Sequence, residues 1–187
     1  TDIYDDAMWL INLVENLLSV TRIENGTMKI EKEPEIVEEV ILEAVKHIDR
    51  RKNEHHIHIR IDDDMMMADM DAKLMIQVII NLVDTAIKYT GKGSHIDISA
   101  EKKNGKVLIE VADDGEGISD EAKTRLFDMF YTGSKTVADS RRSMGMGLAL
   151  CKSIVQAHGG TITVRDRKPR GTVFSFELQA EEVIVHG

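Results

Sequence analysis

The sequence predicts an α+β fold: a two-layer sandwich in which a mixed sheet is covered on one face by helices, preceded by a single long helix. Two observations carry the sheet. The stretch "HIDISAEKKNGKVLIEVAD" is two alternating runs around Asn104-Gly105, and "GTITVRDRKPRGTVFSFELQ" is a second hairpin late in the chain. Alternation puts one face of each strand into a core, and Asn-Gly supplies the left-handed pair that a tight hairpin turn needs. A third observation places the helices: segments of helical period interleave with these hairpins instead of forming a run of βαβ units. Helices therefore gather on one face of the sheet.

From the N-terminus, Ile3, Ala7, Leu10, Val14, Leu17 and Thr21 alternate steps of four and three, with Tyr4, Ile11 and Leu18 as a neighbouring row. This wide apolar stripe belongs to one helix of a bundle or helical hairpin, and it is too short for a long coiled coil. Gly26 ends it as a left-handed cap. The chain starts at Thr1 inside this pattern, so an excised fragment without the partner helix is expected. "TMKIEKEP" reads as a short strand ended by Pro34, and "EIVEEVILEAVKHI" as a helix with Ile36, Val40, Ala44 and Ile48 inward. In "HHIHIRID" the isoleucines alternate with His56, His58 and Arg60, a half-buried strand. His56 and His58 share a face, but no carboxylate or cysteine joins them at ligand spacing within the strand, which reads as an exposed face before a zinc site. The methionines 65–67 read as core filler. Asp71 caps the next helix, and Gly91 and Gly93 end it.

Composition narrows the function. The 187 residues with 42% hydrophobic content support one domain plus an appendage, and a net charge of −9 with 4% aromatic residues argues against a nucleic-acid surface. A lone cysteine, Cys151, excludes an internal disulfide framework and fits a reducing compartment. No signal-peptide pattern appears, and no run of about 18 apolar residues that would span a membrane.

Three features concentrate chemistry. In "NLVDTAIKYTGKG" the residues Asn81, Thr85 and Lys88 fall on one helix face, while Leu82, Val83, Ala86 and Ile87 cover most of the rest. By itself that stripe is a solvated face. "VADDGEGIS" delivers Asp113 at a strand end, followed by Gly115 and Gly117, which let backbone approach a flat or charged ligand. "SMGMGLALCKSI" places Gly145 and Gly147 at a helix start, where free backbone N–H groups favour an anion.

In this order the motifs resemble the ATP-binding domain of sensor histidine kinases, within the wider group that shares its fold with gyrase and Hsp90-type ATPases. "NLVDTAIKYT" is similar to the family's N box, "DDGEGI" to its first glycine box, "LFDMFY" to its F box, "GMGLAL" to its second glycine box and "RGTVFSF" to its third. The likeness runs over 35–178. "LVENLLSVTRIENG" resembles the second helix of the family's dimerisation and phosphotransfer hairpin, and "GSHIDISA", "GSK" and "AHGGTITV" suggest the potassium-responsive Kdp type. The implied division is 1–26 for that helix, 27–180 for the catalytic domain and 181–187 for a tail. None of the seven histidines stands in the family's His-Asp/Glu-x-x-x-Pro context, so the phosphoacceptor is expected on the absent helix.

The resemblance implies that Asp113 receives the adenine amino group, selecting ATP over GTP, with Gly115 and Gly117 as the adenine floor and Thr172 nearby. It directs Asn81, Lys88 and Tyr89 to the phosphates and makes 119–144 a lid anchored by Phe127 and Phe130. Lys135 would meet the γ-phosphate, and Gly145, Gly147 and Leu148 would close on the triphosphate with backbone amides. Asp114 and Glu116 stay solvated at the loop rim. The family's ATPases carry a glutamate at the position of Asn81; an amide takes no proton at neutral pH, so phosphoryl transfer is favoured over hydrolysis. Thr85 departs from the family's Mg²⁺-binding asparagine and marks the metal position. A non-catalytic nucleotide-sensing or scaffolding module with an impaired Mg²⁺ site is the alternative. Implied partners are ATP, Mg²⁺, a response regulator and a second copy through the N-terminal hairpin. Implied location is the cytoplasmic portion of a membrane-anchored sensor, reaching the membrane only through segments absent here.

Overall fold

The computed structural model describes residues 2–26, 29–48, 54–128 and 147–181. Period-two patterning dictates its sheet. β4 (His95–Lys103) and β5 (Lys106–Asp113) bury Ile96, Ile98 and Ala100 beside Val107, Ile109 and Val111. Asn104 and Gly105 join them with φ of 54° and 75°, as the tight turn requires. β7 (Thr172–Glu181) lies antiparallel on β5, and β6 (Ile162–Asp166) takes the other edge of β7. β2 (His56–Ile61) pairs in parallel with β4. With β1 (Glu33–Ile36) and β3 (Met67–Met70), the order is β1-β3-β7-β5-β4-β2, with β6 also on β7. The sheet is mixed and open, as expected.

The helix layer comprises α2 (Val37–Lys46), α3 (Ala72–Lys88), the single turn α4 (Asp120–Lys123) and α5 (Gly147–Ala157). α3 packs against both α2 and α5 and buries Val78, Ile79, Leu82, Val83 and Ala86. Phe174 and Phe176 of β7 fill the space beneath. Phe127 meets Phe174 edge-on, with centroids 6.3 Å apart, and so anchors the segment after α4 to the sheet.

One element reading needs correction. The strand expected to end at Pro34 begins one residue before it: β1 is Glu33–Ile36, and Pro34 lies opposite Asp69. Its place at the sheet's edge explains why a residue without an N–H is tolerated. In α1 (Asp2–Glu24) the apolar stripe expected to meet an absent partner helix is exposed. Leu10, Val14 and Leu17 are exposed, and the inward residues are Val20, fully buried, and Ile23, where the last turns of the helix meet α5. Of the methionine run, Met66 alone is core, and Met65 is exposed.

The buried His158 ties the helix layer to the sheet. Its Nδ1–H donates to the Ile154 carbonyl at 2.8 Å, and Nε2 accepts the Asp71 N–H at 3.0 Å. Asp71 in turn caps α3 by accepting the Leu74 N–H at 3.4 Å. A ring that both donates and accepts here must be neutral, and burial holds its pKa below the ordinary histidine value. The unfolded chain therefore takes up the proton first. Stability from this contact is complete above about pH 6.5 and falls as the pH drops from there toward the depressed folded value. Urea unfolding at pH 7 and pH 5 should show the advantage of the wild type over His158→Gln shrinking on acidification. A pH-independent gap would rule out the neutral buried ring.

Candidate functional site

The site is assembled where three chain ends meet. β5 ends at Asp113, whose register partner is Thr172 at the start of β7, and both side chains are buried. Asp113 Oδ1 accepts the Gly115 N–H at 2.9 Å. Burial raises the carboxyl above the ordinary aspartate range, opposed by backbone hydrogen bonds from Gly115 and Thr172. A 3% exposed carboxylate that accepts two backbone N–H groups still has lone pairs for a further donor.

Two glycines set the walls. A Cβ on Gly115 would lie 2.8 Å from Thr90 Cγ2 and 2.9 Å from the Tyr89 carbonyl, so the loop after β5 is pressed onto the end of α3. A Cβ on Gly171 would lie 1.8 Å from the Asp113 carbonyl oxygen, at a φ of 117° that side chains avoid. Neither position has room for a side chain.

The polar face of α3 is present. Asn81, Thr85 and Lys88 are half-buried while Leu82, Val83, Ala86 and Ile87 are buried. Gly147, which opens α5, lies against Asn81: its Cβ would be 3.7 Å from the amide carbon. The start of α5 therefore packs beside the Asn81 end of the α3 stripe. The side chain of Leu148 is in the core, so only its backbone is available to a ligand. Lys88 Nζ stands 5.4 Å from the ring centroid of Tyr89. The Thr85 hydroxyl donates to the Asn81 carbonyl at 2.8 Å, leaving its oxygen lone pairs for a further partner. Lys135, Gly145 and Phe130 lie outside the described residues, as does most of the expected lid.

Sequence reading missed Arg170, Thr90 and His55. Arg170 Nε donates to the Gly115 carbonyl at 2.9 Å and pins the glycine loop from the β6–β7 turn. The Thr90 hydroxyl donates to the Ala86 carbonyl at 2.8 Å, and the same oxygen accepts from Nε2 of the buried His55 at 2.9 Å. The methyl of Thr90 is the one against Gly115, so His55 and Thr90 form the back wall. Cys151, the lone cysteine, sits fully buried with Sγ 3.6 Å from the Val78 carbonyl. Burial pushes its thiol up to about 12, which makes it packing under the α3 stripe and no nucleophile.

A buried acid beside glycine-shaped backbone, facing a polar helix and a second helix start, defines a nucleotide-binding α/β sandwich. Residues 70–182 match the family of histidine kinase-, DNA gyrase B- and HSP90-like ATPases, and the chain belongs to it. It is 45% identical over 179 residues to the sensor protein KdpD of Clostridium acetobutylicum, covering 96% of this chain and 20% of that protein. Against KdpD of Escherichia coli the identity is 33% over 166 residues, 89% of this chain and 18% of the relative. The chain thus spans about a fifth of these relatives' length. Among solved structures, the nucleotide-free catalytic domain of the histidine kinase ThkA superposes with a TM-score of 0.71 at 29% identity, covering 80% of this chain and 95% of that one.

Proposed function

We propose that this chain is the ATP-binding catalytic part of a two-component sensor histidine kinase of the Kdp type. In this reading it transfers the γ-phosphoryl group of ATP to a histidine that is not among its own seven, with Mg²⁺, and a response regulator is the downstream partner. The observation that carries the reading is Asp113: a buried acceptor held at a strand end between Gly115 and Gly171. Such a carboxylate matches the amino group of adenine and mismatches the carbonyl of guanine. Support for the partner comes from ThkA, solved with the response regulator TrrA.

The donors available for a metal fit magnesium. Asn81 and Thr85 offer an amide and a hydroxyl one helical turn apart, and no group of three His, Cys, Asp or Glu is poised for a metal among the described residues. Mg²⁺ keeps waters and binds mainly through substrate phosphates, so a sparse protein set is sufficient, and the ion supplies charge neutralisation at the phosphates. Lys88 adds a point charge on the same face, and transfer is catalysed by positioning and electrostatics.

Calorimetric titration of ATP and GTP, with Mg²⁺ and with EDTA, tests the proposal. ATP binding that excludes GTP supports it, and no ATP binding at all leaves the scaffolding module as the reading. Thr85 sharpens the test. Its hydroxyl reaches less far than the family's asparagine, so Thr85 would hold a Mg²⁺ ion less directly. Affinity is expected to depend weakly on Mg²⁺, and Thr85→Asn to strengthen that dependence on the order of tenfold, about 1.4 kcal/mol. Identical metal dependence in both proteins would mean that position 85 does not face the ion.

The exposed row of Ile3, Leu10, Val14 and Leu17 on α1 supports self-association through a helical bundle in the parent protein. Light scattering of this chain should show a dimer or larger species. A monomer persisting at high concentration would count against it.

A further inference from the structure

We propose that His58 and His95, with His56 stacked beside them, form a binding site for a borderline divalent transition metal, zinc by chemistry, at the β2 end of the sheet. The parallel register of β2 and β4 sets His56 opposite His95 and His58 opposite Asp97, so imidazoles from two strands meet on one face. His56 stacks on His95 with ring centroids 4.8 Å apart at 22°, and His58 on His95 at 5.5 Å and 14°. His58 Nε2 and His95 Nδ1 are 3.3 Å apart. Two nitrogens bound to one tetrahedral zinc, each at about 2.0–2.1 Å, stand about 3.3–3.4 Å from each other. The pair already has the spacing of two ligands of a single ion.

Entry of the metal requires only that the proton shared between these nitrogens move to the far nitrogen of its ring. Each neutral imidazole keeps one proton, His58 on Nδ1 and His95 on Nε2, and no backbone moves. All three side chains are exposed, so the ion keeps water in its remaining positions and no charge is buried. Among the described residues no third ligand converges on the pair in this arrangement. His56 is the nearest candidate for one, through a change of rotamer. His95 is held from behind, its backbone N–H donating to Asp114 Oδ1 at 2.9 Å, and that carboxylate adds favourable charge nearby. Asp97 on the same face is engaged by Arg167 Nη2 at 2.6 Å. An all-imidazole donor set selects zinc, nickel or copper over magnesium, so this site is chemically separate from the nucleotide face and does not depend on the kinase reading. A metal bridging the two nitrogens fastens the outermost strand β2 to β4 and stabilises the folded chain by mass action.

Tag-free protein titrated with zinc chloride, followed by calorimetry and by thermal denaturation, decides the matter. One saturable site is expected, with a rise in Tm that EDTA reverses. His58→Gln and His95→Gln, exposed substitutions that leave the core untouched, should each weaken zinc binding at least tenfold, whereas His47→Gln on α2 should not. Failure to saturate, or equal zinc affinity in the wild type, His58→Gln and His95→Gln, would overturn the site. Loss in His47→Gln equal to that in His58→Gln would do the same.

Discussion

Asp113→Asn should cost this protein most of its ATP affinity, by about 1–3 kcal/mol, more than any other single change in the loop. The reason lies in the donor and acceptor count. Oδ1 already accepts the Gly115 N–H at 2.9 Å and the Thr172 N–H also bonds to the carboxylate, so in the proposed reading the lone pairs that remain would take the amino group of adenine. An asparagine can keep its oxygen on Gly115, and then its NH₂ confronts another NH₂. Turned the other way, it serves adenine and leaves the Gly115 N–H facing a donor. Either arrangement strands a buried polar group. Asp114→Asn is the internal control, since the Asp114 carboxylate accepts the His95 N–H at 2.9 Å. Calorimetry should find Asp114→Asn close to wild type, and equal losses at the two positions would refute the adenine assignment. Because burial raises the Asp113 carboxyl, wild-type affinity should also begin to fall at a higher pH than an ordinary aspartate would give, and Asp113→Asn should lack that limb.

The second large effect concerns folding. Gly171→Ala places a methyl carbon 1.8 Å from the Asp113 carbonyl oxygen at a φ of 117°. Nothing flexible can yield there, because the obstacle is the backbone of the adjoining strand end. β5 and β7 must separate at the Asp113–Thr172 pair or the substitution is not accommodated. The expected loss in urea unfolding is on the order of 4 kcal/mol or more, with the nucleotide site disrupted in whatever folds. Gly159→Ala gives the comparison: φ is 81° with no atom within 4 Å of the added carbon, so only backbone strain is incurred. That substitution should cost about 1–2 kcal/mol. Similar costs at both positions would show that the close approach of Gly171 to Asp113 is not a feature of the native state.

Much of the architecture is legible in local pattern. The β4–β5 hairpin follows from alternation around Asn104-Gly105, and α3 from its buried Val78, Leu82, Val83 and Ala86 with Asp71 at its head. The polar stripe of Asn81, Thr85 and Lys88 is set by helical period alone. Misreadings fall where local pattern is neutral. Pro34 reads as a strand breaker until its strand is seen at an edge, and the packing of Val20 and Ile23 at the end of α1 has no signal in the stripe.

What the sequence by itself determined, then, are the features that depend on neighbours along the chain: turn chemistry, periodicity, the order of the glycine motifs and the acid between them. Tertiary structure alone decided which of these meet. Arg170 reaches the Gly115 carbonyl from 55 residues away, and His158 caps the start of α3 from 87 residues away at Asp71. The parallel pairing of β2 with β4 brings His95 beside His56 and His58, a cluster invisible within either strand. No periodicity encodes such contacts, because strand order and pairing partner are chosen by how the whole core closes, and a side chain's chemistry depends on what that closure places next to it.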